Sequence, residues 1–227
     1  MQPITIVPSL IDQTYQQLLQ AITDGTLPAG ARIRQTELAG RLGVSRQPVS
    51  HALHLLKRQG LIEETGGKGM RVVPLDPLRV HQLYQVGEVV DGLAARLAAE
   101  QVAAGTADLE ALATLQALAK SGAALGLDAP IARLVRSDTD FHQGLTRLSG
   151  NPAIEEMTTP LWPHLMRSMA FILDTFSYRA QVWEEHTSIL TLVAAGAPDE
   201  AEAAARRHAA TAAARTTEHL RAAAQAA

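Results

Sequence analysis

Asp138 and His142 stand four residues apart in RSDTDFHQGL, so on a helix they project from one face on consecutive turns and can share one cation. Two more imidazoles, His186 in WEEHTSIL and His208 in ARRHAAT, fall in separate helical stretches farther along. Three helices can therefore bring one carboxylate and three imidazoles to a common point, which is how helical bundles build metal sites. Neutral imidazoles with a carboxylate suit a divalent transition metal, zinc first, with nickel, iron or manganese as alternatives. Incomplete coordination would leave a position for a ligand oxygen. Taken singly, each histidine favours a duller role, since lone helical histidines are more often surface or hydrogen-bonded core groups. His81, His164 and His219 are not joined to the cluster by any spacing and stay with that duller reading.

A second chemistry, recognition of a polyanion, is written into Glu37 to Ile62, ELAGRLGVSRQPVSHALHLLKRQGLI. Leu38 and Leu42 lie one turn apart on a short helix, Gly43 can take the left-handed conformation that ends it, and Ser45 can cap the next. Burying Val49, Leu53 and Leu56 of the following helix leaves Arg46, Gln47, Ser50, His54 and Lys57 on a polar, basic side. Two helices and a tight turn of this kind present one helix to a DNA groove. Two short strands, Leu61 to Thr65 and Met70 to Val73, flank GGKG and form a wing in which Gly66, Gly67 and Gly69 allow close backbone approach and Lys68 supplies charge. The candidate DNA contacts are Arg34, Thr36, Ser45, Arg46, Gln47, Ser50, His51, His54, Gly67 and Lys68. A helical hairpin inside an enzyme core would share part of this pattern; the order helix, turn, helix, basic wing favours DNA.

The elements that must hold these groups follow from periodicity. Leu10 to Thr23 reads as an amphipathic helix, and TLPAGARI, with Pro28 and Gly30, as a turn. Pro74, Asp76 and Pro77 interrupt regular structure, after which composition becomes rich in Ala and Leu with almost no strand signal. Helices are expected at about 78–104, 107–121, 128–149, 152–175 with a disturbance at Pro160 and Pro163, 178–196 and 199–224. The expected organisation is a DNA-binding domain over 1–74, a linker over 75–77, and an all-helical ligand-binding and dimerisation domain over 78–227. The fold class is mainly α: a winged helix-turn-helix with a small β-hairpin wing, then a helical bundle.

Charge divides the chain in the same place. Residues 1–75 carry 8 Lys/Arg against 5 Asp/Glu, net +3, while 76–227 carry 12 against 18, net −6, so only the first part suits nucleic acid. A surplus of +3 is small for one copy, which makes a homodimer that doubles the phosphate contacts attractive. The chain has no Cys, fitting a reducing compartment, and its start shows no basic region followed by an apolar run. No stretch approaches the roughly 20 apolar residues of a membrane span. A cytoplasmic protein without a membrane partner is expected.

These residues together resemble the GntR family of bacterial transcription regulators. The likeness is carried by Gly25, the Pro28 to Gly30 turn, ELAGRLGVSR, Pro48 and Val49, Ala52 and Leu53, Leu56, GLI and the glycine wing. The helical remainder is similar to the FCD effector-binding domain of the FadR-type branch. The resemblance implies a non-enzymatic regulator, with repression the commoner sign, that binds double-stranded operator DNA under the control of a small carboxylate metabolite. Asp138, His142, His186 and His208 resemble the metal set of FCD domains, and a metal there would meet the carboxylate with an Arg helping to neutralise it.

Two departures matter. Ser50 stands where many relatives carry a DNA-contacting Arg, and Gly87 and Asp91 stand where relatives often have Arg and Glu. Arg133, Arg136 and Asn151 are the remaining effector candidates, with Arg167 and Arg179 as alternatives. Each Arg also fits a solvated surface charge, and Asn151 also fits a helix cap. Trp162 and Trp183 fit core or pocket wall. Two rival readings use the same cluster: a metal-dependent hydrolase with Glu184 or Glu185 as base, and an architectural DNA binder whose four residues only brace the bundle.

Overall fold

The computed structural model describes residues 8–66, 69–126, 128–174 and 176–226. The chain divides into two compact units, one ending at Pro74 and the other beginning at Leu75. In the first, α1 (Leu10–Thr23) starts from a reciprocal capping box between Ser9 and Asp12. The helix α2 (Gln35–Leu42) stops at Gly43, whose φ of 65° is open to glycine at no steric penalty, and α3 (Arg46–Arg58) follows after a three-residue turn. Ser45 occupies the cap position of α3, yet its hydroxyl makes no capping hydrogen bond. Val49, Leu53 and Leu56 of α3 are wholly buried against Leu18 and Ile22 of α1 and Leu38 of α2. Each such Leu contributes about 1.5–3 kcal/mol of burial, which is what fixes the rotation of α3 about its axis.

The wing is larger than its hairpin. Strands β2 (Ile62–Thr65) and β3 (Gly69–Val72) pair antiparallel, Glu63 opposite Arg71, and β1 (Arg32–Ile33) adds to the other edge of β3 with Arg32 opposite Arg71. The sheet order is β1-β3-β2. The turn expected over TLPAGARI thus ends in a strand: two residues with no periodicity of their own become extended because β3 offers an unpaired edge. Gly67 and Lys68 lie outside the described residues.

The second unit is entirely helical among the described residues. It comprises α4 (Pro77–Ala103), α5 (Leu109–Ala123), α6 (Ile131–Leu148), α7 (Pro152–Thr158), α8 (Trp162–Leu173), α9 (Phe176–Ala194) and α10 (Pro198–Ala226). Two boundaries differ from expectation. Asp76 caps α4, accepting from Leu78 N and Arg79 N, and Pro77 occupies its first turn, so both open a helix instead of completing a linker; a first-turn proline lacks only an N–H that would have no partner there anyway. The disturbance expected within 152–175 is a full break into α7 and α8. Pro160 cannot supply an interior helical N–H, and Leu161 N instead donates to Thr158 O in a turn.

The Ala-rich sequence of α10 is amphipathic by position. Ala201, Ala205, His208, Ala212, Thr216 and Leu220 recur at helical spacing and are all buried. Ala94, Ala95, Ala98 and Ala99 of α4 share one core cluster with Ala201, Ala204 and Ala205, small side chains that let two helix backbones approach closely. None of the described helices is long and apolar enough to cross a membrane.

Candidate metal centre and nucleic-acid interface

In the first unit, Arg46, Gln47, His51 and His54 are exposed along α3 and Ser50 is half-buried, while Pro48, Val49, Ala52 and Leu53 on the other side are buried. Arg34 and Thr36, at the start of α2, and Ser45 are also exposed. The exposed side of α3 therefore offers hydrogen-bond donors in three chemical forms, guanidinium, amide and imidazole, on a rigid helix. Lys57, expected on the same side, is held 2.6 Å from Glu64 of β2, and Arg71 is 2.6 Å from Glu63. Leu55, also 38% exposed on α3, adds an apolar contact point between the polar groups.

In the second unit, Asp138 and His142 occupy positions on the buried stripe of α6 that includes Leu134, Val135, Phe141 and Leu145. His186 sits on the buried face of α9 beside Val182, Trp183 and Ile189, and His208 on that of α10. Ordinary amphipathic packing thus delivers four polar side chains to one point, with exposures of 5%, 6%, 0% and 6% in chain order. The three imidazoles offer nitrogens that all lie within 4.8 Å of one another. His186 Nε2 is 3.2 Å from His208 Nε2 and 3.6 Å from Asp138 Oδ1. Phe141 stacks on the His186 ring at 3.7 Å and Trp183 meets it edge-on at 5.0 Å, so the ring is fixed from two sides.

Two carboxylates not anticipated as partners hold the outer nitrogens. Glu185 Oε2 lies 2.7 Å from His208 Nδ1, and Asp91 Oδ2 of α4 lies 3.1 Å from His142 Nδ1, though off a hydrogen-bonding direction. A carboxylate on Nδ1 sets the tautomer that leaves Nε2 free to bind a metal. The electrostatics of the cluster are unbalanced without a cation. Burial pushes the Asp138 carboxyl up against the opposing pull of His142 and His208, and burial together with His208 and His142 pushes His186 well down. For His142, burial opposes charge, but Asp91 and Asp138 outweigh it and raise the ring to about 9. Asp138 Oδ1 and His186 Nδ1 have no hydrogen-bond partner among the described residues although both are sealed from water. Buried polar atoms left bare cost about 1–3 kcal/mol each, and three imidazoles with a carboxylate oxygen are a donor set that a divalent transition metal would satisfy. The residues present fit such an ion.

Beside the cluster is a cavity of about 50 Å³ lined by Asp91, Asp138, His142 and His208, by Tyr84, Trp162 and Tyr178, and by aliphatic side chains of α4, α8 and α10. At roughly 10–15 Å³ per water, that is room for a few small ligand atoms. Gly87 also lines it, and among the described residues nothing lies within 4 Å of where a Cβ would stand there. The proposed effector contacts fall elsewhere. Arg133 and Arg136 are exposed, and Asn151 caps α7 by accepting from Ala153 N; none of the three lines the cavity. Arg167 and Arg179, expected as solvated charges, are buried instead, Arg179 donating from Nε to Leu173 O and Arg167 pushed down to about 10 by burial. An organic acid entering this cavity would meet no Lys or Arg among its described lining residues. The general-base role considered for a hydrolase also lacks support: Glu184 is exposed, Glu185 is engaged with His208, and neither lines the cavity.

Comparison with known proteins agrees with this division. Residues 10–72 match the bacterial regulatory proteins of the gntR family and residues 82–211 match the FCD domain. The HTH-type transcriptional regulator YdhC of Bacillus subtilis (strain 168) is 30% identical over 64% of this chain; the match spans 63% of YdhC, a little under two thirds of its length. The HTH-type transcriptional repressor NanR of Klebsiella aerogenes is 28% identical over 88% of this chain and 82% of its own. A crystal structure of a GntR transcriptional regulator from Rhodococcus sp. RHA1 superposes with a TM-score of 0.76 over 91% of this chain and 96% of that one, at 23% identity, a likeness of fold. These relatives are named as regulators, not as enzymes.

Proposed function

This chain belongs to the GntR family of bacterial regulatory proteins and carries an FCD domain, which makes it a DNA-binding transcription regulator; from that premise we propose that its grip on operator DNA is set by a small polar metabolite bound at a metal in the helical unit. The observation that carries the proposal is the buried cluster of Asp138, His142, His186 and His208 opening on a cavity, in a unit separate from the one that bears the exposed basic helix. The metal would be zinc, or nickel, iron or manganese, held by the three imidazoles and Asp138, and it would offer the metabolite a coordination position.

In this reading residues 1–74 bind DNA and 78–227 sense the ligand and dimerise. Arg46, Gln47, His51 and His54 reach base edges or phosphates, Arg34, Thr36, Ser45 and Ser50 steady the backbone, and Gly67 and Lys68 add contacts to phosphate. Two copies facing a near-palindromic site would double the phosphate contacts that one modestly charged unit supplies. An apolar stripe on α4, Val86, Val89 and Leu93, is exposed at 48%, 52% and 40% and supports self-association. NanR, a repressor by name, supports repression as the sign. A protein that works on chromosomal DNA works in the cytoplasm.

The ligand can alter DNA affinity only by favouring one arrangement of the two DNA-binding units, so operator DNA must change ligand affinity by the same factor. Footprinting on the DNA upstream of the protein's own gene, with and without added zinc and metabolite pools, tests the whole proposal. Protection that shifts with metabolite supports regulation. Protection indifferent to zinc and to every pool would leave an architectural DNA binder.

A further inference from the structure

The walls of the cavity differ from one end to the other, and the difference narrows the class of metabolite, an inference that rests on the metal-site reading above. At one end stand Asp138, His142 and His208, which would hold the ion. Away from them the lining is Tyr84, Met169, Leu173, Tyr178, Val182 and Ala212, all members of one apolar core cluster. Tyr178 and Val182 precede His186 on α9 by about two turns and one turn, and Ala212 follows His208 on α10 by about one. At 5.4 Å a turn, this wall leads away from the ion for about 11 Å along the helix axes. Its tyrosines present rings more than hydroxyls: Tyr84 Oη accepts from Ser168 Oγ at 3.4 Å, and Tyr178 Oη is sealed from water.

Charge is distributed just as unevenly. The described lining residues include no Lys or Arg, so the ion would be the cation that an entering acid meets. With Asp138 bound, a divalent ion keeps one positive charge, which suits a single carboxylate. Asp91 stays with His142, 3.1 Å from its Nδ1, and is itself an anion. A second carboxylate on the same ligand would lie against apolar side chains with its charge unpaired, which burial makes costly. A hydrocarbon tail in that place gains from being taken out of water. We propose that the site takes a short-chain aliphatic monocarboxylate, its carboxylate on the ion and its tail against Tyr84, Leu173, Tyr178 and Val182, and rejects dicarboxylates of the same length. The cavity, about 50 Å³, limits the tail to a few carbons.

The test uses the full-length chain loaded with zinc and titrated calorimetrically at neutral pH with acetate, propionate, butyrate, octanoate and succinate. Affinity should climb about fourfold per added methylene from acetate to butyrate, and octanoate should bind no more tightly than butyrate. Butyrate and succinate share one carbon backbone, and butyrate should bind at least about tenfold more tightly. Gly87→Arg, at a lining position where a Cβ meets no described atom within 4 Å, should narrow that gap by strengthening succinate, with zinc content unchanged. Succinate binding the wild type as tightly as butyrate would overturn the inference. So would equal affinities from acetate to butyrate, octanoate binding tightest, or a zinc-loaded chain that binds none of the acids. A wild type that takes up no zinc would remove the metal-site reading and this inference with it, whereas zinc uptake with succinate preferred removes this inference alone.

Discussion

The two units put their ionisable groups in opposite places. In the first, the core is apolar and the charged groups of α3 stand outside, where water screens them and a polyanion can reach them. In the second, a carboxylate and three imidazoles occupy core positions of three helices, and the outer faces are left to ordinary solvated charge. One unit keeps its chemistry on a surface that packing merely orients; the other has its chemistry in the packing itself. Damage to the core should therefore be separable from function in the first unit and inseparable from it in the second.

The sharpest break would come from the double variant His142→Ala, His186→Ala. Elemental analysis should fall from about one transition metal per chain to none, because a site with two of four ligands gone has no closed donor set. Retained metal would mean that the cluster is only a brace. Leu53→Ala comes next: it empties a fully buried position of α3 and should destabilise the first unit by about 2–5 kcal/mol in chemical denaturation, with metal content unaltered. Loss of metal in that variant would show the two units to be energetically fused.

Arg46→Ala should leave stability and metal content alone while weakening specific operator binding by about 1–3 kcal/mol in a mobility-shift titration. Undiminished binding would take Arg46 out of the interface. The gentlest effect is on pH. In the metal-free chain His142, raised to about 9, contributes stability that is complete below about 6.5, its ordinary value, and fades as pH rises through 9. A metal needs the neutral ring, so zinc affinity should climb by about tenfold per pH unit between 7 and 9, and the thermal shift caused by zinc should grow over the same range. A flat profile would mean that His142 is not a ligand.

Much of the first unit was legible because its cause is local. Val49, Leu53 and Leu56 announce a buried face by spacing alone, and Gly43 announces a helix end by the backbone it permits. The strand β1 was not legible, since Arg32 and Ile33 are extended only by virtue of a partner that lies 38 or so residues away. In the bundle, the i, i+4 pair Asp138 and His142 could be read from one helix, whereas His186 and His208 needed the resemblance to be grouped with it. Asp91 and Glu185 escaped because a carboxylate on a helix carries no mark of what faces it; only the mutual rotation of α4, α6, α9 and α10 makes them partners of histidines. Arg167 and Arg179 were misjudged for a related reason: long charged side chains are solvated unless tertiary structure closes over them, as it does here.

His186, fully enclosed between Phe141 and Trp183, has a consequence in time. An ion held there could leave only by letting go of several buried ligands at once, His186 the most enclosed of them, an event far slower than the comings and goings of a small molecule in the adjoining cavity. Such an ion would be acquired once, as the chain matures, and carried for the lifetime of the protein. Fluctuating metal supply would then be recorded in newly made molecules and ignored by old ones, leaving the faster ligand as the signal that each molecule continues to hear.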